Sequence, residues 1–413
     1  MLIPEHSSHY PDIFQDYIVR SAGYMLGTVQ DAQNPISSGD RDQALHVLSF
    51  ALGLTDAWPF ARDLLLTMAS EMEQAGYRDE WIPFLEKGIY RSQVLGDCRA
   101  EAELRFHLGI LYQLLGKYDL ACAQFVASAS RWESTDDVRN LAKALNRHAY
   151  VARLQRRLGK AIGLVEKAQK LLQADDSERA YSLFVQGTIA FDQRKWQSAS
   201  RSYQASLEIW KQHGDGRMTA WSLTNLGTTY RALERYDEAI ASYEKAIELF
   251  ELVGDPVHQA AARMNLGNVY MSAKQLARAL EFYLMAEPVF RKTQDKLRLA
   301  TVFGNKAMVY RQLRQWDDAE RAYRSGLEYA CEIGNVRLMV NAMDGLGQTL
   351  LSTGRYQAAM KIFADAIEQL DGDESIENLE NLRHSVTTHM NQVRAALRVD
   401  GDPHEEDPHS EMT

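Results

Sequence analysis

The sequence is poor in residues that interrupt helices, in residues that staple a chain and in long apolar runs. Its 413 residues include 9 prolines, and none lies between Pro83 and Pro256. Proline removes a backbone donor and clashes inside a helix. A proline-free stretch of that length, rich in Ala, Leu, Glu, Arg and Gln, therefore predicts helix after helix and argues against a β-sandwich or collagen-like chain. Three cysteines, Cys98, Cys122 and Cys331, are too few and too scattered for a disulfide framework or a zinc site; they predict reduced thiols in a cytoplasmic protein. The most apolar short stretch, Leu48 to Leu54, falls far below the ~20 residues of a membrane span, so no membrane association is expected. The first residues, MLIPEHSSHYPDIF, lack a basic segment followed by an apolar one, and no secretory signal is expected.

An excess of positive charge is missing as well. The net charge is −10, and the residues after Arg398 carry Asp400, Asp402, Glu405, Glu406, Asp407 and Glu411 without a single Lys or Arg. Nothing here resembles a basic footprint, so nucleic acid is not an expected partner. With 46% hydrophobic and 25% charged residues the chain has the balance of a folded protein, and its length suffices for several domains or one long array.

What is present is a clock. The second residues of the pairs Leu108-Gly109, His148-Ala149, Gln186-Gly187, Leu226-Gly227, Leu266-Gly267, Lys306-Ala307 and Leu346-Gly347 recur every 40 residues, with one interval of 38. Twelve residues after each comes an alanine (Ala121, Ala161, Ala199, Ala239, Ala279, Ala319, Ala359), and four further on an aromatic in six copies: Phe125, Tyr203, Tyr243, Tyr283, Tyr323 and Phe363. Leu226 and Tyr230 are i, i+4 neighbours on one helix; Ala239, Tyr243 and Ala246 follow i, i+4, i+7 on the next. Small residues let two helices approach while tyrosines fill the spaces between them. Gly116-Lys117 and Gly354-Arg355 punctuate the hairpins. Gly96-Asp97, Gly214-Asp215, Gly254-Asp255, Gly334-Asn335 and Gly372-Asp373 separate one hairpin from the next, Gly suiting a helix C-terminus and Asp an N-cap.

The pattern L-G-x-x-Y, G-x-Y-x-x-A, A-x-x-x-Y-x-x-A resembles the tetratricopeptide repeat (TPR). Its 40-residue period is similar to the long-period branch of kinesin light chains, Pins-type adaptors and the sensor arrays of bacterial STAND regulators. The resemblance implies an all-α, right-handed superhelical solenoid of helical hairpins with helical caps. On this reading residues 1–56 are an N-terminal helical cap with helices at 10–33 and 40–54, a possible eroded repeat. Residues 57–373 hold eight repeats, 374–398 a capping helix with Ile376, Leu379, Leu382, Val386, Met390 and Val393 on one side, and 399–413 a disordered acidic tail. The first copy is degenerate (Ala69, Tyr77, Trp81, Leu85, Gly88). The third is expected to carry a displaced turn at Arg156-Arg157-Leu158-Gly159-Lys160 and has Val165 for the aromatic. Pro288 should kink its helix.

In such arrays the free face of each first helix lines a concave groove. At roughly 100° per residue, Trp221, Asn225, Thr228 and Ala232 fall opposite Leu223, Leu226, Gly227 and Tyr230. The position two before the Gly reads His107, Arg147, Val185, Asn225, Asn265, Asn305 and Gly345, a run of three Asn where family members place Asn to clamp a ligand backbone. Asn is a mediocre helix former, and its amide can donate and accept at once. The candidate groove residues are Arg147, Tyr181, Trp221, Asn225, Arg231, Asn265, Asn268, Asn305, Arg311 and Asn341, with the arginines suited to acidic side chains. The bland alternative is that these Asn support packing between neighbouring helices.

No phosphate loop, nucleophile elbow or HExxH motif occurs. Asp136-Asp137 and Asp317-Asp318 read as helix-start residues, and His404 and His409 as part of a solvated tail. The expectation is a non-enzymatic scaffold or adaptor without metal or cofactor, binding a partner protein or extended peptide. The alternatives are a bacterial receptor for a short signalling peptide and a sensor array working with a separately encoded effector. Arrays of this kind also self-associate through terminal faces, which leaves a homo-oligomer open.

Overall fold

A computed structural model describes residues 10–31, 36–74, 78–371 and 380–400; among them the chain forms 19 α-helices and no strand. It divides into two compact units, Met1–Ile209 and Trp210–Thr413. Tyr77, Gly372-Asp373, Ile376, Leu379, His404, His409 and residues 401–413 of the acidic tail lie outside the described residues.

The first unit contains α1 (Tyr10–Asp31), α2 (Ser38–Ala51), α3 (Trp58–Gln74), α4 (Arg78–Leu95), α5 (Cys98–Leu114), α6 (Tyr118–Ser134), α7 (Val138–Leu154), α8 (Leu158–Leu171) and α9 (Ser177–Asp192). The division between units falls inside α10 (Trp196–Gln212). An apolar core runs from Ile18 on α1 to Leu172 after α8. The second unit contains α11 (Gly216–Ala232), α12 (Tyr236–Leu252), α13 (Pro256–Ser272), α14 (Leu276–Lys292), α15 (Lys296–Gln312), α16 (Trp316–Glu332), α17 (Val336–Ser352), α18 (Tyr356–Asp371) and α19 (Glu380–Asp400). α19 packs on α17 and α18 and continues to Asp400, two residues into the stretch expected to be disordered. α14 runs on for four residues past Pro288.

Caps and turns show how the period is built. The first helices begin on Asp97, Asp137, Asp176, Asp215, Asp255, Asp295 and Asn335, each accepting a hydrogen bond from a backbone N–H two or three residues on. An N-cap side chain satisfies a donor that the helix leaves orphaned. The second helices α6, α8, α12, α14 and α16 have no side-chain cap; their start is set by the tight turn before them. In that turn Gly116, Arg156, Arg194, Glu234, Lys274, Arg314 and Gly354 all have φ between 58° and 73°. The third hairpin therefore keeps its turn in register. The displaced turn expected around Gly159 does not exist, because Arg156 adopts the left-handed conformation that Gly116 adopts 40 residues earlier, and Gly159 belongs to the first turn of α8.

Between the helices of a hairpin the rule is ring on glycine. A Cβ on Gly227 would lie 2.6 Å from the Tyr243 ring, so only glycine admits it. The one hairpin of the second unit that breaks the pair, Lys306-Ala307, is repaired twice over. The Tyr323 ring lies against Gly345 on α17 instead, where a Cβ would fall 2.2 Å away. Gly326 on α16 meanwhile faces the backbone of α15, where a Cβ would fall 3.3 Å from the Ala300 carbonyl oxygen.

Candidate functional site

In the second unit the first helices α11, α13, α15 and α17 each pack Leu or Gly positions inward and leave a polar row half-exposed. Trp221, Asn225, Thr228 and Ala232 are partly open while Leu223, Leu226, Gly227 and Tyr230 are buried, the division expected from 3.6 residues per turn. Asn225 donates from Nδ2 to the Trp221 carbonyl of its own helix, 2.9 Å away. Asn305 donates to Asn268 Oδ1 across α15 and α13 at 2.9 Å, and the Tyr283 hydroxyl donates to the same oxygen at 2.7 Å. Arg311 donates to Gln348 across α15 and α17. The Trp221 ring lies 4.7 Å from that of His258 on α13, tilted by 54°. The polar row is thus stitched sideways from helix to helix, and part of its amide capacity serves packing.

The remainder is open. The side chains of Asn265 and the exposed Asn341 make no hydrogen bond among the described residues, and neither do the side-chain oxygens of Asn225 and Asn305. Burial pushes the Tyr243 and Tyr283 phenols up, against the pull of Arg231, so both hydroxyls stay neutral donors or acceptors.

Two positions of the expected row are closed. Val185 and Gly345 are buried rather than exposed, the latter because the Tyr323 ring occupies the space a side chain would need. His107 is held 2.7 Å from Glu73 of α3. In the first unit the face has another character. The Arg147 guanidinium lies 3.5 Å over the Tyr181 ring, Lys143 lies 4.4 Å over Phe106, and Arg153 lies over Tyr150 while it bonds Asp192 at 2.8 Å. Arg147 Nη1 and Arg153 Nε are buried without a partner. Burial raises the Tyr181 phenol and Arg147 opposes it.

Sequence reasoning missed the ionic ties. Lys306, at a position where four other copies carry Leu, is buried and bonds Glu287 of α14 at 2.6 Å; Glu287 also bonds Arg291 at 2.8 Å. Burial pushes the Glu287 carboxyl up, but bonds from Lys306 and Arg291 outweigh it and hold it below the usual carboxylate range. A lysine at an apolar repeat position was the available signal. Asp344 of α17 likewise binds His389 at 2.7 Å and Ser385 at 3.2 Å on α19, which ties the last helix to the polar row. Among the described residues no group of three or more His, Cys, Asp or Glu could hold a metal ion, and no helix is long and apolar enough to cross a membrane.

Tandem helical hairpins with a ring-on-glycine contact and capped first helices define a helical-repeat protein. Residues 178–251 and 258–332 match one sequence profile described as tetratricopeptide repeat, and residues 305–374 match a second profile of that description. Over residues 178–251 and 258–374 the chain is thus built of tetratricopeptide repeats. A comparison with curated protein sequences finds no match. Among solved structures, a STAND signal-transduction ATPase with a tetratricopeptide-repeat sensor from Pyrococcus horikoshii is 14% identical, with a TM-score of 0.57 over 89% of this chain and 55% of that one. The present chain thus spans about half of that protein's length. A Rap protein complexed with competence and sporulation factor is 15% identical (TM-score 0.52, 82% of this chain and 99% of that one), and the apo form of RapI 16% identical (0.52, 66% and 98%). At such identities the likeness is one of fold.

Proposed function

We propose that the protein is a non-catalytic interaction scaffold that takes an extended segment of a partner protein along the first-helix face of its hairpins. The observation that carries this reading is the amide row of the second unit, where Asn225, Asn265 and Asn305 recur every 40 residues with unspent donors or acceptors. An extended backbone presents alternating N–H and C=O groups, and a rigid amide can meet either. Asn268, Arg231, Arg311, Trp221 and Asn341 surround the row; Arg147 and Tyr181 offer a cation and an aromatic face in the first unit. The cytoplasm is the compartment that fits three free cysteines.

A second reading is a receptor for a short signalling peptide, since the Rap protein of similar fold was solved with competence and sporulation factor. A sensor array serving a separate effector is the third, by analogy with the STAND protein. The test is binding of an unbiased peptide library to the full chain. Hits are then measured by fluorescence anisotropy against an Asn225/Asn265/Asn305→Ala variant whose helicity is checked by circular dichroism. Loss of three ligand hydrogen bonds should weaken binding by roughly 10-fold or more. Unchanged affinity in the folded variant would remove the amide row from the site.

A further inference from the structure

α1 has two apolar faces. One, made of Ile18, Ala22, Met25 and Val29, is buried on the α2 and α3 side. The other stands in solvent, with Ile13 63%, Tyr17 65% and Tyr24 73% exposed. At about 100° per residue these three fall within roughly 40° of one another, and Arg20 completes an i, i+4, i+7, i+11 stripe. That is the spacing of a helix–helix seam, whereas apolar residues on a solvated surface are scattered singly. Phe14, half-exposed, meets the exposed Phe50 of α2 edge-on with ring centroids 6.0 Å apart and widens the patch. Asp16 and Arg20 bridge each other at 2.6 Å beside the stripe.

We propose that this face pairs with the same face of a second copy of the chain, the two α1 helices antiparallel about a two-fold axis. The order of side chains carries the choice. The antiparallel register that sets Ile13 against the partner's Tyr24 also sets Tyr17 against the partner's Arg20, and the two-fold repeats both contacts. A guanidinium over a tyrosine ring is attractive, and Asp16, one turn before Arg20, keeps the cation paired as it leaves water. A parallel pair would instead bring the two Arg20 side chains together. An isologous contact requires a self-complementary surface, which this order of residues provides and which an unrelated partner would not require. Ile13, Phe14, Tyr17, Tyr24 and Phe50 expose on the order of 550 Å². A standard interface buries about 800 Å² per partner, so the dimer is a weak one with a Kd in the micromolar range. This inference is independent of the peptide-binding reading and is tested without ligand.

Sedimentation equilibrium of the full chain from about 1 to 100 μM should show a reversible monomer–dimer equilibrium, weakened at least 10-fold by Arg20→Glu. Arg20 is exposed, so circular dichroism of that variant should match the parent. Register is tested by oxidation, with the exposed thiol of Cys331 removed by Cys331→Ser. A chain carrying Ile13→Cys mixed with one carrying Tyr24→Cys should form a mixed disulfide faster than either does alone. A chain monomeric throughout that range, a dimer indifferent to Arg20→Glu, or equal crosslinking by Ile13→Cys alone would each overturn the proposal. So would a dimer that forms only after residues 1–9 are removed, since the chain's own first segment would then be the occupant of the face.

Discussion

The two units build the same hairpin under different strictness. In the second unit, hairpins α11/α12 and α13/α14 keep Gly in the first helix and Tyr in the second, and the hairpin that departs, Lys306-Ala307, is compensated by Gly326, Gly345 and the Glu287 ion pair. In the first unit α7/α8 departs in three places at once. His148-Ala149 stands for the Leu-Gly pair, Val165 for the aromatic, and α8 has 14 residues where α6 has 17. No glycine compensates there, yet the hairpin forms, because a smaller side chain opposite Ala149 relieves the crowding that a tyrosine would create. The lesson is that the code is one of summed volume rather than of residue identity. The half-exposed faces of the first helices diverge more freely, amide-rich in one unit and cationic-aromatic in the other, because their side chains are only partly engaged in packing.

The strongest way to break this comparison is to empty the two equivalent sites. Tyr283 is fully buried, and Tyr283→Ala should cost about 3–5 kcal/mol, against about 1–2 for Val165→Ala in the first unit, both read from urea-denaturation midpoints. Equal losses would mean the two hairpins pack alike after all.

His148, standing where four other copies carry Leu, gives the first unit an acid weakness. Burial, aided by the charge of Lys160, depresses the folded pKa of His148 to about 4, and its Nε2 has no partner. Below an unfolded value near 6.5 the unfolded chain binds a proton that the folded chain refuses. Stability should therefore fall as pH drops from about 6.5 toward 4, by roughly 2–4 kcal/mol in all. Thermal melts across that range should show the loss, and His148→Leu, which installs the residue of four other copies, should flatten it.

Glycine contrasts are smaller and opposite in sign. Gly227→Ala should cost about 1–3 kcal/mol because its Cβ meets the Tyr243 ring, whereas Gly163→Ala in α8 meets nothing and should gain about 0.5–1. Smallest is the turn. Glu234 holds φ at 59°, and Glu234→Gly should gain a few tenths to ~1 kcal/mol, while Gly354→Ala at φ 73° should lose a similar amount.

Much of this was legible in the residues. The N-cap aspartates, the ring-on-small contacts and the inward Leu positions follow from spacing alone, since helical periodicity places them before any tertiary contact exists. Local reasoning failed at Arg156, read as a displaced turn because glycine was taken to mark every left-handed residue. The second helix still packs if an Arg or Glu bears the modest cost of that conformation. It failed too at Val185 and Gly345, expected on the open face and found buried. For the candidate site the sequence offered the amide row but not its wiring. Asn268 receiving both Tyr283 and Asn305 joins side chains 15 and 37 residues away.

The sequence by itself determined that this chain is a tandem array of capped helical hairpins with a 40-residue period, because periodicity and caps are local and repeat. Only the tertiary structure decided how each broken copy is mended, which amides remain free and where Lys306 finds its counter-charge. Those outcomes depend on distances between helices, and a distance between helices is set by all the side chains at a crossing together rather than by any one of them.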